Sequence, residues 1–163
     1  MRTGNFLENT VSQGGTYNVL VVVNPGDPVM KVTLAWDDPP GTPNVSPALV
    51  NDLDLVVFDP NNVQKFPWTL GGLANPSAPA VQTQKNGIDN IEQVLVNSPI
   101  SGVYRVEVRG FNVPQGPQPF SLCASPLLVN CSHAGTASLD KSKYACSSTA
   151  TITVIDWRSQ YQR

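Results

Sequence analysis

The chain has 163 residues and a mass of 17.5 kDa, a size for one domain or one domain with a small appendage. Charged residues are 13%, about half the ordinary share, and the net charge of −2 leaves no basic excess to neutralise phosphates, which argues against nucleic acid as a partner. With 40% hydrophobic residues the chain can bury a core, so global disorder is excluded; its longest apolar run, 19–23, is far too short to span a membrane.

The first residues, Met1-Arg2-Thr3-Gly4-Asn5, hold no apolar segment of the kind a signal peptide needs. The expectation is a cytosolic protein or an internal piece of a longer one. Strand signals then follow at period two. Residues 17–23 are rich in Val and Leu, and Met30, Val32, Leu34 and Trp36 alternate with Lys31, Thr33 and Ala35. Residues 53–58 and 92–96 read as strands. Tyr104, Val106 and Val108 alternate with Arg105, Glu107 and Arg109, and 120–124 closes the series. Turn clusters separate these runs: Asn24-Pro25-Gly26-Asp27-Pro28, Pro39-Pro40-Gly41, Asp59-Pro60-Asn61-Asn62 and Ser98-Pro99-Ile100-Ser101-Gly102. No amphipathic helix of three turns is found. The pattern predicts an all-β fold, an antiparallel sandwich or barrel.

One stretch, 66–90, breaks the rhythm with Pro67, Pro76 and Pro79 and little alternation, which predicts a functional or ordered surface loop. A second change comes at Ser125-Pro126. Beyond it come two cysteines, the histidine and two further strand signals, 135–139 and 149–155. The expected division is therefore 1–125 as the main domain and 126–163 as a C-terminal extension or the start of a following module.

Acid is unevenly placed. Residues 32–64 contain Asp37, Asp38, Asp52, Asp54 and Asp59 and no Lys, Arg, His or Glu, so this segment carries −5 within a chain of net −2. Two carboxylates 4 Å apart repel by about 4 kcal/mol at an effective dielectric of 20. Gathering several therefore calls for protons or a cation, and oxygen ligands from irregular loops suit Ca²⁺. Asn51-Asp52-Leu53-Asp54 and Asp89-Asn90-Ile91-Glu92 each open a predicted strand, and the two could meet at one end of a sandwich. The other reading is that these residues are Asx turns and solvated loop tips.

Catalytic signals are weak. A nucleophile–histidine arrangement has only His133 to draw on, in the turn-like Cys131-Ser132-His133-Ala134-Gly135. No carboxylate pair sits in an apolar context except for Asp37 after Trp36, and no Gly-rich phosphate loop follows a strand. The cysteines are Cys123, Cys131 and Cys146; without a Cys-x-x-Cys pair, zinc is disfavoured. One disulfide and one thiol is the simplest account and suggests an oxidising compartment. Three pairings remain open, with Cys131–Cys146 preferred because Cys123 lies in a strand-like run. Trp68 in Phe66-Pro67-Trp68 either stacks on a sugar as a substrate-binding residue or closes one end of the core.

Four ordered motifs carry a resemblance. Residues 32–41, Val-Thr-Leu-Ala-Trp-Asp-Asp-Pro-Pro-Gly, resemble the V-T-L-A-W-T-D-P-P-G segment of the C-terminal jelly-roll β-barrel of secreted subtilisin-like serine proteases. Leu49-Val50-Asn51-Asp52-Leu53-Asp54-Leu55, Asp89-Asn90-Ile91-Glu92-Gln93-Val94 and residues 113–122 resemble its later motifs, while Asp37 departs from the usual Thr. The resemblance covers roughly residues 3–125. It implies a jelly-roll sandwich, related in shape to the P-domains of proprotein convertases, that is non-catalytic and internal to a secreted bacterial precursor. The catalytic Ser, His and Asp of such a protease would lie upstream, and the intramolecular partner would be its catalytic domain, stabilised by this one and assisted in binding protein or polysaccharide substrate. The resemblance also implies structural Ca²⁺, with Asp38, Asn51, Asp52, Asp54, Asp89, Asn90 and Glu92 as ligand candidates. Residues 135–140 and 144–146 loosely resemble the openings of Ig-like modules. The alternative expectation is an independent carbohydrate- or protein-binding sandwich that uses Trp68.

Overall fold

The computed structural model describes residues 5–46, 48–72 and 75–129, together with the strand backbone of 136–139 and 152–155. Described residues form strands and loops with no helix. The strands are β1 (Phe6–Val11), β2 (Thr16–Val23), β3 (Val29–Ala35), β4 (Asp52–Phe58), β5 (Gln64–Lys65), β6 (Ile91–Asn97), β7 (Gly102–Asn112), β8 (Gln118–Ser125), β9 (Leu127–Val129), β10 (Thr136–Leu139) and β11 (Ile152–Ile155). The chain divides into two compact units, Met1–Asn130 and Cys131–Arg163. In the second, β10 and β11 pair antiparallel. Cys131, His133 and Cys146 lie outside the described residues, and Cys123 is an exposed free thiol on β8.

In the first unit one sheet has the order β1-β8-β3-β6 and the other β5-β4-β7-β2-β9, with every pairing antiparallel. Eight strands ordered 1-8-3-6 against 5-4-7-2 make a jelly roll. The ninth strand adds an edge beside β2 and carries the unit past Ser125-Pro126. The predicted antiparallel sandwich is thus present.

Alternation explains which face each strand buries. Val19, Val21 and Val23 of β2, Val32 and Leu34 of β3, Leu53, Leu55 and Val57 of β4, Val106 and Val108 of β7 and Phe120 and Leu122 of β8 meet in one core. Each such side chain contributes about 1.5–3 kcal/mol through burial. On the outer face of β7 the buried Glu107 is paired by Arg105 and Arg109, which flank it two residues away on either side. Arg105 also lies 4.1 Å over the Phe58 ring.

Three strands carry little alternation and escape the periodicity argument: β1, β5 and β9. Four of the six β1 residues are exposed, because it is an edge strand.

The stretch 66–90 is an edge cover. The Trp68 N–H donates to Gln93 O at 2.8 Å, and the Gln82 amide accepts the Leu95 N–H at 2.9 Å while donating to Leu95 O at 3.1 Å. These bonds satisfy β6 where it has no neighbouring strand.

Asp59 shows the turn use of acid. Its Oδ1 accepts the N–H groups of Asn61 and Val63, each at 2.9 Å, and its Oδ2 lies 3.0 Å from Lys65 Nζ. Loss of water raises its pKa, but those N–H groups and the Lys65 ammonium outweigh that and hold it below the ordinary carboxylate value. A depressed folded value gives stability that is full above the unfolded pKa of about 3.9 and is lost as pH falls through the folded one. Thermal melts taken from about pH 5 downward should therefore lose midpoint more steeply in the wild type than in Asp59→Asn. Parallel acid limbs would mean that the loop bonds are replaced by water without cost.

Candidate metal centre

The two sheets approach each other at one corner, where β4 faces β6. β5 pairs only with Val57 and Phe58, so the edge of β4 is open further up the strand. There the Leu55 N–H donates to Glu92 Oε2 at 2.7 Å, a bond from one sheet to the other. Glu92 belongs to the inward-facing set of β6 with Val94 and is only 1% exposed.

Asp54 and Asp52 complete a trio around it. One carboxylate oxygen from each of Asp52, Asp54 and Glu92 lies within 4.8 Å of the others. Asp54 is buried and Asp52 half-buried. Among the described residues four buried side-chain oxygens lack a hydrogen-bond partner, and three of them are Asp52 Oδ1, Asp54 Oδ1 and Glu92 Oε1. Buried acceptors are normally satisfied, and each orphan costs about 1–3 kcal/mol. Their concentration at one point is what a cation would correct, so the cluster can hold a metal ion.

The electrostatics agree. Burial, followed by the nearby Asp54 and Asp52 charges, pushes Glu92 up to about 9, despite the Leu55 N–H that favours its charged form. Burial and then Asp54 raise Asp52; burial raises Asp54, with Lys85 opposing it in both cases. All three shifts disfavour the fully charged trio in the absence of a counter-ion.

The surrounding loop shapes the mouth. Lys85 Nζ stands 3.6 Å from Asp54 Oδ1, an ion-pair distance beyond hydrogen-bond reach, and 3.0 Å from the centroid of the Phe111 ring. Phe111 reaches that place through a register shift: Asp52 pairs with Asn112 and Leu53 with Gly110, which leaves Phe111 bulged between them. A Cβ on Gly87 would lie 3.3 Å from Asp52 Oδ2, so the loop closes tightly on that carboxylate. Asn86, 3% exposed, organises the turn by accepting the Ile88 and Asp89 N–H groups at 3.1 and 3.2 Å.

The other ligand candidates are engaged in hydrogen bonds of their own. Asp38 accepts the Val50 and Asn51 N–H groups, both at 2.7 Å. Asn51, fully buried, donates to Gln115 O at 2.9 Å and Gln118 Oε1 at 2.7 Å and accepts the Gln115 N–H at 3.1 Å. Asp89 accepts from Asn86 Nδ2 at 2.9 Å, and Asn90 donates to Trp36 O at 2.9 Å. Trp68 is half-buried in the edge cover. Lys85, Asn86 and Gln118 carry no pattern in the sequence that marks them, apart from the Asn86-Gly87 turn dipeptide.

A separate cleft of about 670 Å³ opens along the four-stranded sheet, lined by Glu8, Ser121, Ala35 and Ile91 among others. These four occupy one register row across β1, β8, β3 and β6. Trp68 does not line it.

No family model matches the chain. It is 33% identical over 95 residues, 58% of its length, to the serine protease/ABC transporter B family protein tagB of Dictyostelium discoideum. It is 27% identical over 132 residues, 74% of its length, to the serine protease/ABC transporter B family protein tagD of the same organism. The chain spans only 5% and 7% of the lengths of these two relatives. What it shares is one β-sandwich-sized segment of much larger proteins named as serine proteases.

Proposed function

We propose that this chain is the non-catalytic accessory domain of a secreted subtilisin-like serine protease, a jelly roll that stabilises the adjoining catalytic domain and is itself fastened by structural Ca²⁺. The observation that carries the reading is the trio of orphaned oxygens on Asp52, Asp54 and Glu92, placed where one sheet meets the other. A cation there ties β4 to β6 and acts on the fold, not on a substrate. Calcium fits the spacing. Ca–O distances of about 2.3–2.6 Å allow two ligand oxygens to lie up to about 5 Å apart, whereas Mg²⁺ at about 2.1 Å limits them to about 4.2 Å. The oxygens here all lie within 4.8 Å of one another, inside the calcium limit. The four motifs of the resemblance and the serine-protease names of both relatives support the link to a protease.

The accessory role is tested by deletion from the parent protein. Removing the segment equivalent to residues 1–125 should shorten the half-life of the protease on heating while its turnover of a short peptide stays unchanged, and the isolated chain should cleave no peptide. An undiminished half-life would sink the stabilising role.

A further inference from the structure

Lys85 is unaccounted for by the structural-cation reading, on which the following inference rests. Its ammonium faces Asp54 Oδ1, one of the three orphaned oxygens, at 3.6 Å and has the Phe111 ring 3.0 Å away on another side. Neither contact is a closed hydrogen bond. The side chain is 48% exposed, so its stem borders water. Its backbone is much less free. Asn86, the next residue, is buried and bonded to Trp68 O at 3.3 Å, and Gly87 abuts Asp52. A single positive charge is therefore tethered on a flexible stem beside three carboxylates, over an aromatic face that also attracts cations.

A divalent ion that uses Asp54 Oδ1 would sit within a few ångströms of this ammonium. Two positive charges at that separation repel strongly in a half-buried site. We propose that Lys85 is a displaceable internal cation: it guards the mouth of the Asp52–Asp54–Glu92 trio, competes with the divalent ion for Asp54, and sets the affinity of the site. With no metal, the Lys85 ammonium offsets part of the carboxylate charge and keeps the domain folded. When the ion enters, Lys85 gives up Asp54 and turns to solvent. The apparent affinity is the intrinsic one multiplied by the fraction of molecules in which Lys85 has left the site.

The test is calorimetric titration of the full chain with CaCl₂, accompanied by melts in EDTA and in excess CaCl₂. Lys85→Met should bind about tenfold more tightly than the wild type. Its EDTA midpoint should fall and its calcium-saturated midpoint stay, which widens the calcium-induced shift. Lys85→Arg keeps the charge and should remain close to the wild type. Lys31→Met removes the same charge from the exposed side of β3 and should leave affinity unchanged, which separates local competition from net charge. Calcium binding to Lys85→Met that is no tighter than to the wild type overturns the role of Lys85 and leaves the cation site standing. Equal tightening in Lys31→Met and Lys85→Met also overturns it. An absence of calcium heat and of any melt shift in every variant overturns the cation site and this inference together.

Discussion

Saturating Ca²⁺ should raise the melting midpoint of this chain by roughly 5–10 °C over the same sample in EDTA, and Glu92→Gln should remove most of that rise. A ligand at a hundredfold over its Kd stabilises by about 2.7 kcal/mol. For a domain of this size each kcal/mol moves the midpoint by about 2–4 °C. Glu92 is the residue to change because it is the sheet-to-sheet member of the trio, holding Leu55 with Oε2 while Oε1 lacks a partner. A glutamine keeps the length and an oxygen for the Leu55 N–H, but it withdraws one of three carboxylate ligands. Because burial pushes Glu92 up to about 9, the neutral amide resembles the metal-free side chain at neutral pH. The EDTA midpoint of Glu92→Gln should therefore stay near that of the wild type, which separates loss of the cation from loss of the fold. Equal calcium responses in the two proteins would place the ion elsewhere. Coincident wild-type melts from a sample shown to be metal-free would remove the cation altogether.

The sequence was legible where one face of a strand meets the core and the other meets water. β3 alternates cleanly because it is an interior strand of a sheet whose outer side is wet; β7 alternates in sequence, with Glu107 the one buried residue of its outer face, and the predicted segments overlap the observed strands closely. β1 was not legible: as an exposed edge it needs few apolar residues, and Phe-Leu-Glu-Asn-Thr-Val shows little alternation. β5 is two residues long and exists because the Asp59 loop folds it back on β4.

The site divides in the same way. Acid at two strand starts is a sequence signal, and the fold brings together three of the residues it named, Asp52, Asp54 and Glu92. It could not distinguish them from Asp38 and Asn90, whose side chains answer to backbone groups, or from Asp89, which accepts from the Asn86 side-chain amide. That distinction is one of register. β4 places Asp52 and Asp54 on the same side, at the corner that Glu92 reaches across. Lys85 is a matter of tertiary placement alone, delivered by a loop without periodicity onto a ring exposed by a bulge.

Asn51→Ala should cost about 3–4 kcal/mol, the largest loss expected from any single polar substitution beside the site. Asn51 is fully buried, and its amide joins the start of β4 to the turn before β8 with bonds to Gln115 O, Gln118 Oε1 and the Gln115 N–H. Truncation leaves the buried Gln118 Oε1 without its partner and strips the Gln115 O and N–H of theirs. Gln118 remains fixed by its own bonds to Asp37 O at 3.0 Å and Pro119 O at 2.8 Å, so its Oε1 cannot easily turn away. Asn51→Asp should be no better: it keeps the acceptor for Gln115 but faces two acceptors with a carboxylate, between Asp38 and Asp52. With a urea m-value of about 2 kcal/mol/M, the midpoint of denaturation should drop by about 1.5–2 M with m unchanged. A loss below about 1 kcal/mol would mean that the 115–118 turn relaxes and that the buried network is not what holds it. The calcium response supplies a second readout, because Asn51 immediately precedes Asp52. A variant that is weakened but retains the full calcium-induced rise has lost the turn and kept the trio. One that loses both shows that the bonds of Asn51 set the position from which Asp52 faces Glu92.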